Sequence, residues 1–287
     1  MIDTNVDLFQ WPFRRLIGDN PAELVSRLRY KGLTQAWAGS YEALLCRDIA
    51  GVNARLAAAC REHGENFLVP FGCVNPKLPD WEEDIRRCHE IHHMAGIRLY
   101  PNYHGYTLAE PEFASLLSMA ADRHLLVQIA LSMEDPRTQF PLMRVPPVDP
   151  TPLADLGTRH PNLRLVLLNA GYWGGERTPN IRKIARSDNV YFDFAMQEGV
   201  GGVARLIGET SLSRVVFGSH YPFFYFESAL LKVQEAGLSK EQTYAICEGN
   251  ARSLLAAYSQ TIATATPPGA CGDLAHSRYG PDDYAAE

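Results

Sequence analysis

Short apolar runs alternate along this chain with longer segments whose apolar residues recur at helical spacing. Eight such runs stand out: "MIDTNVDLF" (1–9), "LTQAWAGS" (33–40), "FLVPFGCVNP" (67–76), "AGIRLYP" (95–101), "LLVQIAL" (125–131), "LRLVLLNAG" (163–171), "NVYFDFA" (189–195) and "RVVFGSHYP" (214–222). Between them, "PAELVSRLRYKG", "VNARLAAACREHG", "PDWEEDIRRCHEIHHM", "PEFASLLSMAADRH" and "SALLKVQEAG" carry the helical period, several with a Gly stop. The alternation predicts βα units around a parallel sheet, and the count of eight predicts a (β/α)8 TIM barrel. In such a barrel the chemistry gathers at the C-terminal ends of the strands.

The polar residues that close the runs are therefore the candidates for function: Asn5, Asp7, Arg98, Tyr100, Gln128, Asn169, Asp193 and His220. Asn5 and Asp7 lie two apart on the first run, so a strand delivers both to one face. Residues 1–258 carry the barrel pattern. The segment 259–287 turns poor in large aliphatics and rich in Pro, Gly, Ala and Asp, a C-terminal extension whose composition predicts a loose tail.

Composition narrows the partners. A net charge of -6 and a pI near 5.9, with no run of Lys or Arg, argue against nucleic acid and against an anionic membrane surface. The six cysteines include no C-x-x-C pair, so reduced thiols and a cytoplasmic location are expected. The first 25 residues hold acids, arginines and a proline where a signal peptide needs an apolar stretch. A small-molecule substrate and an unspecified homo-oligomer are the partners that fit.

Six stretches in order, "IDTNVDLF", "FGCVNP", "AGIRLYPNYHGY", "LRLVLLNAG", "RVVFGSHYPF" and "EGNARSLL", resemble the amidohydrolase-related proteins of the amidohydrolase superfamily, over roughly residues 1–256. That family combines amide hydrolases, lactonases and decarboxylases on a (β/α)8 barrel. The resemblance implies a metal site from a His-x-His on the first strand, a His closing the fifth, a His closing the sixth and an Asp closing the eighth. Here those positions hold Asn5 and Asp7, Ala130, Asn169 and His220. A catalytic zinc needs three protein ligands from His, Cys, Asp and Glu, and only Asp7 and His220 qualify. No tightly bound metal is expected; zinc at the ancestral position is the alternative.

The residues allow a division of labour. His220, turned into the mouth by the preceding Gly-Ser, would act as general base, with Asp7 orienting it from the neighbouring first strand, or would be a core histidine satisfied by a backbone carbonyl. Arg98 would either fork a substrate carboxylate or pair with an interior one, with Tyr100 and His104 shaping the pocket beside Asn5, Gln128 and Asn169. The charged loop 132–144 reads equally as a lid or as a solvated surface loop. His89, His92 and His93 would share one helix face, a solvated one rather than a metal patch. Trp11, Pro12 and Phe13 read as a pocket rim or a contact between subunits, and the glycines of "GYWGGE" as turns. Two classes of function follow: a divergent hydrolase of a small ester, lactone or amide, or a barrel that has lost chemistry and binds a small carboxylate or serves structure. Decarboxylation stays open through the family.

Overall fold

The computed structural model describes residues 1–173, 176–177, 184–185 and 187–256. The expected extension 259–287, Cys271 and the two glycines of "GYWGGE" at 174 and 175 lie outside them. Seven parallel strands form one curled sheet in chain order, β1 (Ile2–Leu8), β2 (Gln35–Ser40), β3 (Leu68–Cys73), β4 (Gly96–Leu99), β5 (Leu126–Ala130), β6 (Leu165–Leu168) and β7 (Val190–Phe192). Helices α1 (Pro21–Tyr30), α2 (Ile49–Gly64), α3 (Trp81–Glu90), α4 (Pro111–Asp122), α5 (Gly202–Glu209) and α6 (Phe226–Glu235) accompany them. The architecture is TIM-barrel-like.

Local chemistry sets the helix starts. Asn20 accepts the Glu23 amide ahead of Pro21, and Asp48 accepts the Gly51 amide at 2.9 Å. Each satisfies a donor that a first helical turn leaves unpaired. At the other end α3 stops at Glu90, and His93 has φ 51°. His89 is thus helical while His92 and His93 follow the helix, which corrects the expectation of a shared face.

The eighth apolar run is not a regular strand. It meets the two edges of the sheet through single bridges, Val6 to Tyr221 and Phe192 to Val215. Amides of Thr4 and Asp7 donate to Phe217 and Tyr221 carbonyls at 2.9 and 3.1 Å. The left-handed backbone of His220, φ 57°, interrupts the extended conformation a ladder requires. The segment 214–222 nevertheless lies between β7 and β1.

Three apolar clusters organise the interior. The largest lies between sheet and helices. A second, with Trp37, Phe71, Val166 and Val216, fills the inside of the sheet. A third, with Trp11, Tyr41, Tyr100 and Met133, covers the strands' C-terminal ends. Between the last two lies a layer of polar side chains. The five described cysteines are free, and no described helix is long and apolar enough to cross a membrane.

Candidate functional site

The polar layer begins at an irregularity in β1. Its register against β2 shifts between Asp3 and Val6, leaving Thr4 and Asn5 without partners in that ladder. The Thr4 carbonyl turns inside, where it accepts from Gln128 Nε2 at 2.8 Å and Arg98 Nη2 at 3.3 Å. Asp3, Asn5 and Asp7 are all buried.

Arg98 occupies the centre of one half of this layer, 1% exposed. Its Nε donates to Gln128 Oε1 at 2.8 Å, and Nη1 donates to the Val6 carbonyl and to Asp7 Oδ1, both at 2.8 Å. Nη2 donates to Trp37 and Thr4 carbonyls at 3.0 and 3.3 Å. A guanidinium has five N–H donors, and here each has an acceptor. Of the two arrangements open to Arg98, the structure shows the pairing with an interior carboxylate, and no donor remains free for another acceptor. Tyr100 also points to Asp7, its hydroxyl donating to Oδ1 at 3.0 Å, and burial pushes the phenol well above its ordinary ionisation range.

The other half holds two buried acids. Asn5 Nδ2 donates to Asn169 Oδ1 at 2.8 Å and to Asp193 Oδ2 at 2.6 Å, while the Asn169 amide donates to Asp193 Oδ1 at 2.8 Å. Burial raises the Asp193 carboxyl to about 6, against those hydrogen bonds. Asp3 accepts from the amides of Asn5 and Ser219, each at 3.0 Å, and from the Ser219 hydroxyl. Burial raises it to about 7.

His220 joins the two halves. It is fully buried, and its Nε2 lies 2.8 Å from the Met133 carbonyl. A carbonyl only accepts, so Nε2 carries the proton and the neutral ring presents a bare lone pair at Nδ1. Nδ1 has no hydrogen-bond partner and lies 4.0 Å from Asp7 Oδ2. Burial holds the imidazole below its ordinary range, opposed by Asp7 and assisted by Arg98. Asn169, φ 59°, shares the left-handed backbone at a strand end, and in both residues this turn directs the side chain inward. The turn belongs to His220 itself. Gly218 has another use, since a Cβ there would lie 2.7 Å from Asp193 Oδ2.

A cover closes over the layer. Trp11 packs edge-on against Phe13, Tyr41 and Phe223, and Phe223 stacks on His220 with centroids 5.2 Å apart. The loop after β5 is tied down by the Met133 carbonyl on His220, by the Ser132 carbonyl on Asn169 Nδ2 at 2.7 Å, and by Phe140 stacked on Phe13. Trp11 is thus a buried part of the cover. His104 lies at the margin of the layer, its ring edge-on to Tyr100 at 6.1 Å and its Nε2 bound to the Ala43 carbonyl at 2.9 Å. A cavity of about 250 Å³ lined by Asp135, Ala195, Met196, Glu198, Ser228 and Lys232 shares Phe224 with this site, and the Phe224 ring sits edge-on to His220 at 5.4 Å.

The structure thus gathers Asn5, Asp7, Arg98, Tyr100, Gln128, Asn169 and His220 into one layer. Asp3, Ser219 and Gly39 belong to it as well. Asp3 had a legible signal, the same two-residue period as Asn5 and Asp7.

These residues do not fit a metal. Asp7 already faces a guanidinium, Asn5 and Asn169 offer neutral amides engaged with protein partners, and Ala130 offers no donor. Among the described residues no group of three His, Cys, Asp or Glu is placed to hold an ion.

The fold itself is widely shared. The 5-carboxyvanillate decarboxylase of Sphingomonas paucimobilis superposes with a TM-score of 0.68 at 13% identity, over 89% of this chain and 98% of that one. The 4-oxalomesaconate hydratase of Rhodopseudomonas palustris gives 0.66 at 13%, over 92% and 98%. A dihydroxybenzoic acid decarboxylase of Polaromonas, crystallised with manganese and an inhibitor, gives 0.65 at 14%, over 89% and 96%. No curated protein matches by sequence. Residues 18–256 match the sequence family described as "Amidohydrolase", a stretch holding all of the layer except its β1 residues, and the chain belongs to that family.

Proposed function

We propose that this chain is an acid–base enzyme that hydrolyses a small ester, lactone or amide, with His220 as general base. The observation that carries this reading is the unpartnered Nδ1 of His220, buried, held bare by the Met133 carbonyl and 4.0 Å from Asp7 Oδ2. His104 Nδ1 and Arg123 Nε are also buried without partners, and what sets the His220 nitrogen apart is the Asp7 carboxylate beside it. Its depressed basicity keeps the imidazole neutral near pH 7, the state a base requires. A water hydrogen-bonded to Nδ1 would give it a proton as its oxygen attacks the substrate carbonyl. Asp7 would stabilise the imidazolium, which then returns the proton to the leaving group.

With every Arg98 donor used within the protein, a charged group on the substrate would meet Lys232, Asp135 or Glu198 instead. The cavity beside Phe224 supplies a place for the substrate, and lifting the loop after β5 would part Met133 from His220 and bring the two together. Decarboxylation is the second reading, favoured by the aromatic cover over His220, which suits a planar ring; two of the three similar structures named above are decarboxylases of aromatic acids. A screen of lactones, esters, amides and hydroxybenzoates separates these. Hydrolysis that falls by about 10²-fold or more in His220→Asn supports the proposal, on the scale of general base assistance. Full turnover in that variant overturns it, release of carbon dioxide selects the second reading, and tight binding without turnover selects a binding protein.

A further inference from the structure

We propose that the Arg98 guanidinium is the resident cation of this site, a side-chain group that neutralises and positions Asp7 where the relatives of this chain can employ a metal ion. The inference concerns the architecture of the site and stands whichever reaction it catalyses. Three features carry it. The first is the complete use of the guanidinium by Asp7 Oδ1, Gln128 Oε1 and the carbonyls of Thr4, Val6 and Trp37.

The second is the origin of these acceptors. Ladder carbonyls of a sheet normally face along the sheet, yet Thr4 lies in the shifted stretch of β1 and its carbonyl turns inward to accept from two interior side chains. The strand is shaped around a cation. The third is Gly39, where a Cβ would lie 2.6 Å from Asp7 Oδ1 and 2.7 Å from Arg98 Nη1. The absence of a side chain there lets the pair occupy the axis of the sheet. Oxygen acceptors converging on a planar fork, with the opposing strand cleared, make a guanidinium cradle. It fits neither a lysine, a point charge with three donors, nor a divalent ion, which prefers shorter contacts from a closed shell.

Arg98→Ala should leave the cradle open to the free ion. Guanidinium chloride below about 20 mM, where its denaturing action is negligible, should raise the Tm of this variant saturably. The rise should be about 2 °C at some five times the dissociation constant. Methylammonium and sodium chloride should not reproduce it, and wild type should not respond. Wild type purified without chelator should carry no stoichiometric manganese or zinc, and neither ion should raise its Tm. A folded Arg98→Ala protein indifferent to guanidinium overturns the inference. So does wild type holding about one metal ion per chain that a chelator removes with loss of Tm. Should Arg98→Ala fail to fold, the wild-type metal content decides alone: one ion per chain refutes, none supports.

Discussion

Arg98 and His220 are two buried cationic side-chain types in one layer, and their surroundings differ in completeness. Every N–H of Arg98 has an acceptor within 3.3 Å, and its countercharge Asp7 is in contact. His220 uses one nitrogen and leaves the other bare. A fully paired buried charge serves the fold, because any outside partner must displace one already present. A half-paired imidazole keeps capacity for chemistry. The contrast assigns structure to the β4 side of the layer and proton transfer to the segment 214–222, and the two sides should respond oppositely to substitution.

The largest effect on stability is expected at the fully paired side. Arg98→Met removes the countercharge of a buried Asp7, a change that costs about 3–5 kcal/mol, measured by urea unfolding. Asp7→Asn should also be costly, since it strands the guanidinium; near-isosteric shape does not protect it. Pairing Arg98→Met with Asp7→Leu should lose less than the sum of the two single losses. Strict additivity would show that the ion pair contributes nothing specific.

Titration should distinguish the sides next. Asp3, raised to about 7 by burial with Ser219, Asn5 and Asp193 around it, binds its proton more tightly folded than unfolded. Its contribution is complete below about pH 4 and is lost as pH rises towards 7, on the order of a few kcal/mol. Asp193, at about 6, acts in the same direction. His220 is opposite: a depressed imidazole contributes stability above its unfolded value, lost as pH falls below about 6.5. Unfolding free energies from pH 4 to 8 should therefore decline less steeply in Asp3→Asn than in wild type. Identical slopes would mean that Asp3 does not hold a proton in the folded state.

Gly39→Ala comes third, at about 1–3 kcal/mol, the scale of overpacking a filled interior. Its methyl would meet Asp7 and Arg98 directly, so the loss should shrink once Arg98 is shortened. A neutral Gly39→Ala would argue that the pair can shift, against the cradle described above.

That glycine also marks where sequence reading stops. The seven strands and the helices beside them were legible because apolar period and stop signals are local, and so was the convergence of Asn5, Asp7, Asn169 and His220 on one polar layer. Pairing was not. Whether Arg98 faces a substrate or Asp7 depends on a register shift in β1 ninety residues away in the chain, and nothing in "GIRLYP" records it. Likewise the inward turn at His220 rests on its own backbone conformation, while the "GS" before it, to which the sequence reading assigned that turn, supplies room for Asp193 and a hydroxyl for Asp3. The eighth run reads as a strand by composition but makes single bridges, because that turn breaks it.

The smallest change in stability belongs to the residue with the largest expected role in turnover. His220→Asn removes one hydrogen bond to the Met133 carbonyl and the ring contacts with Phe223 and Phe224. Against that, asparagine is among the residues that tolerate the left-handed conformation this position requires, which relieves backbone strain. The bare Nδ1 contributes no bond to lose. The net cost should be about 1 kcal/mol, close to that of a single neutral hydrogen bond. Turnover of any accepted substrate should nevertheless fall by about 10²-fold or more. Urea unfolding and initial rates on the same preparation give both quantities. If stability falls by the amount seen in Arg98→Met, His220 holds the fold together no less than Arg98 does, and the division between the two sides of the layer does not hold.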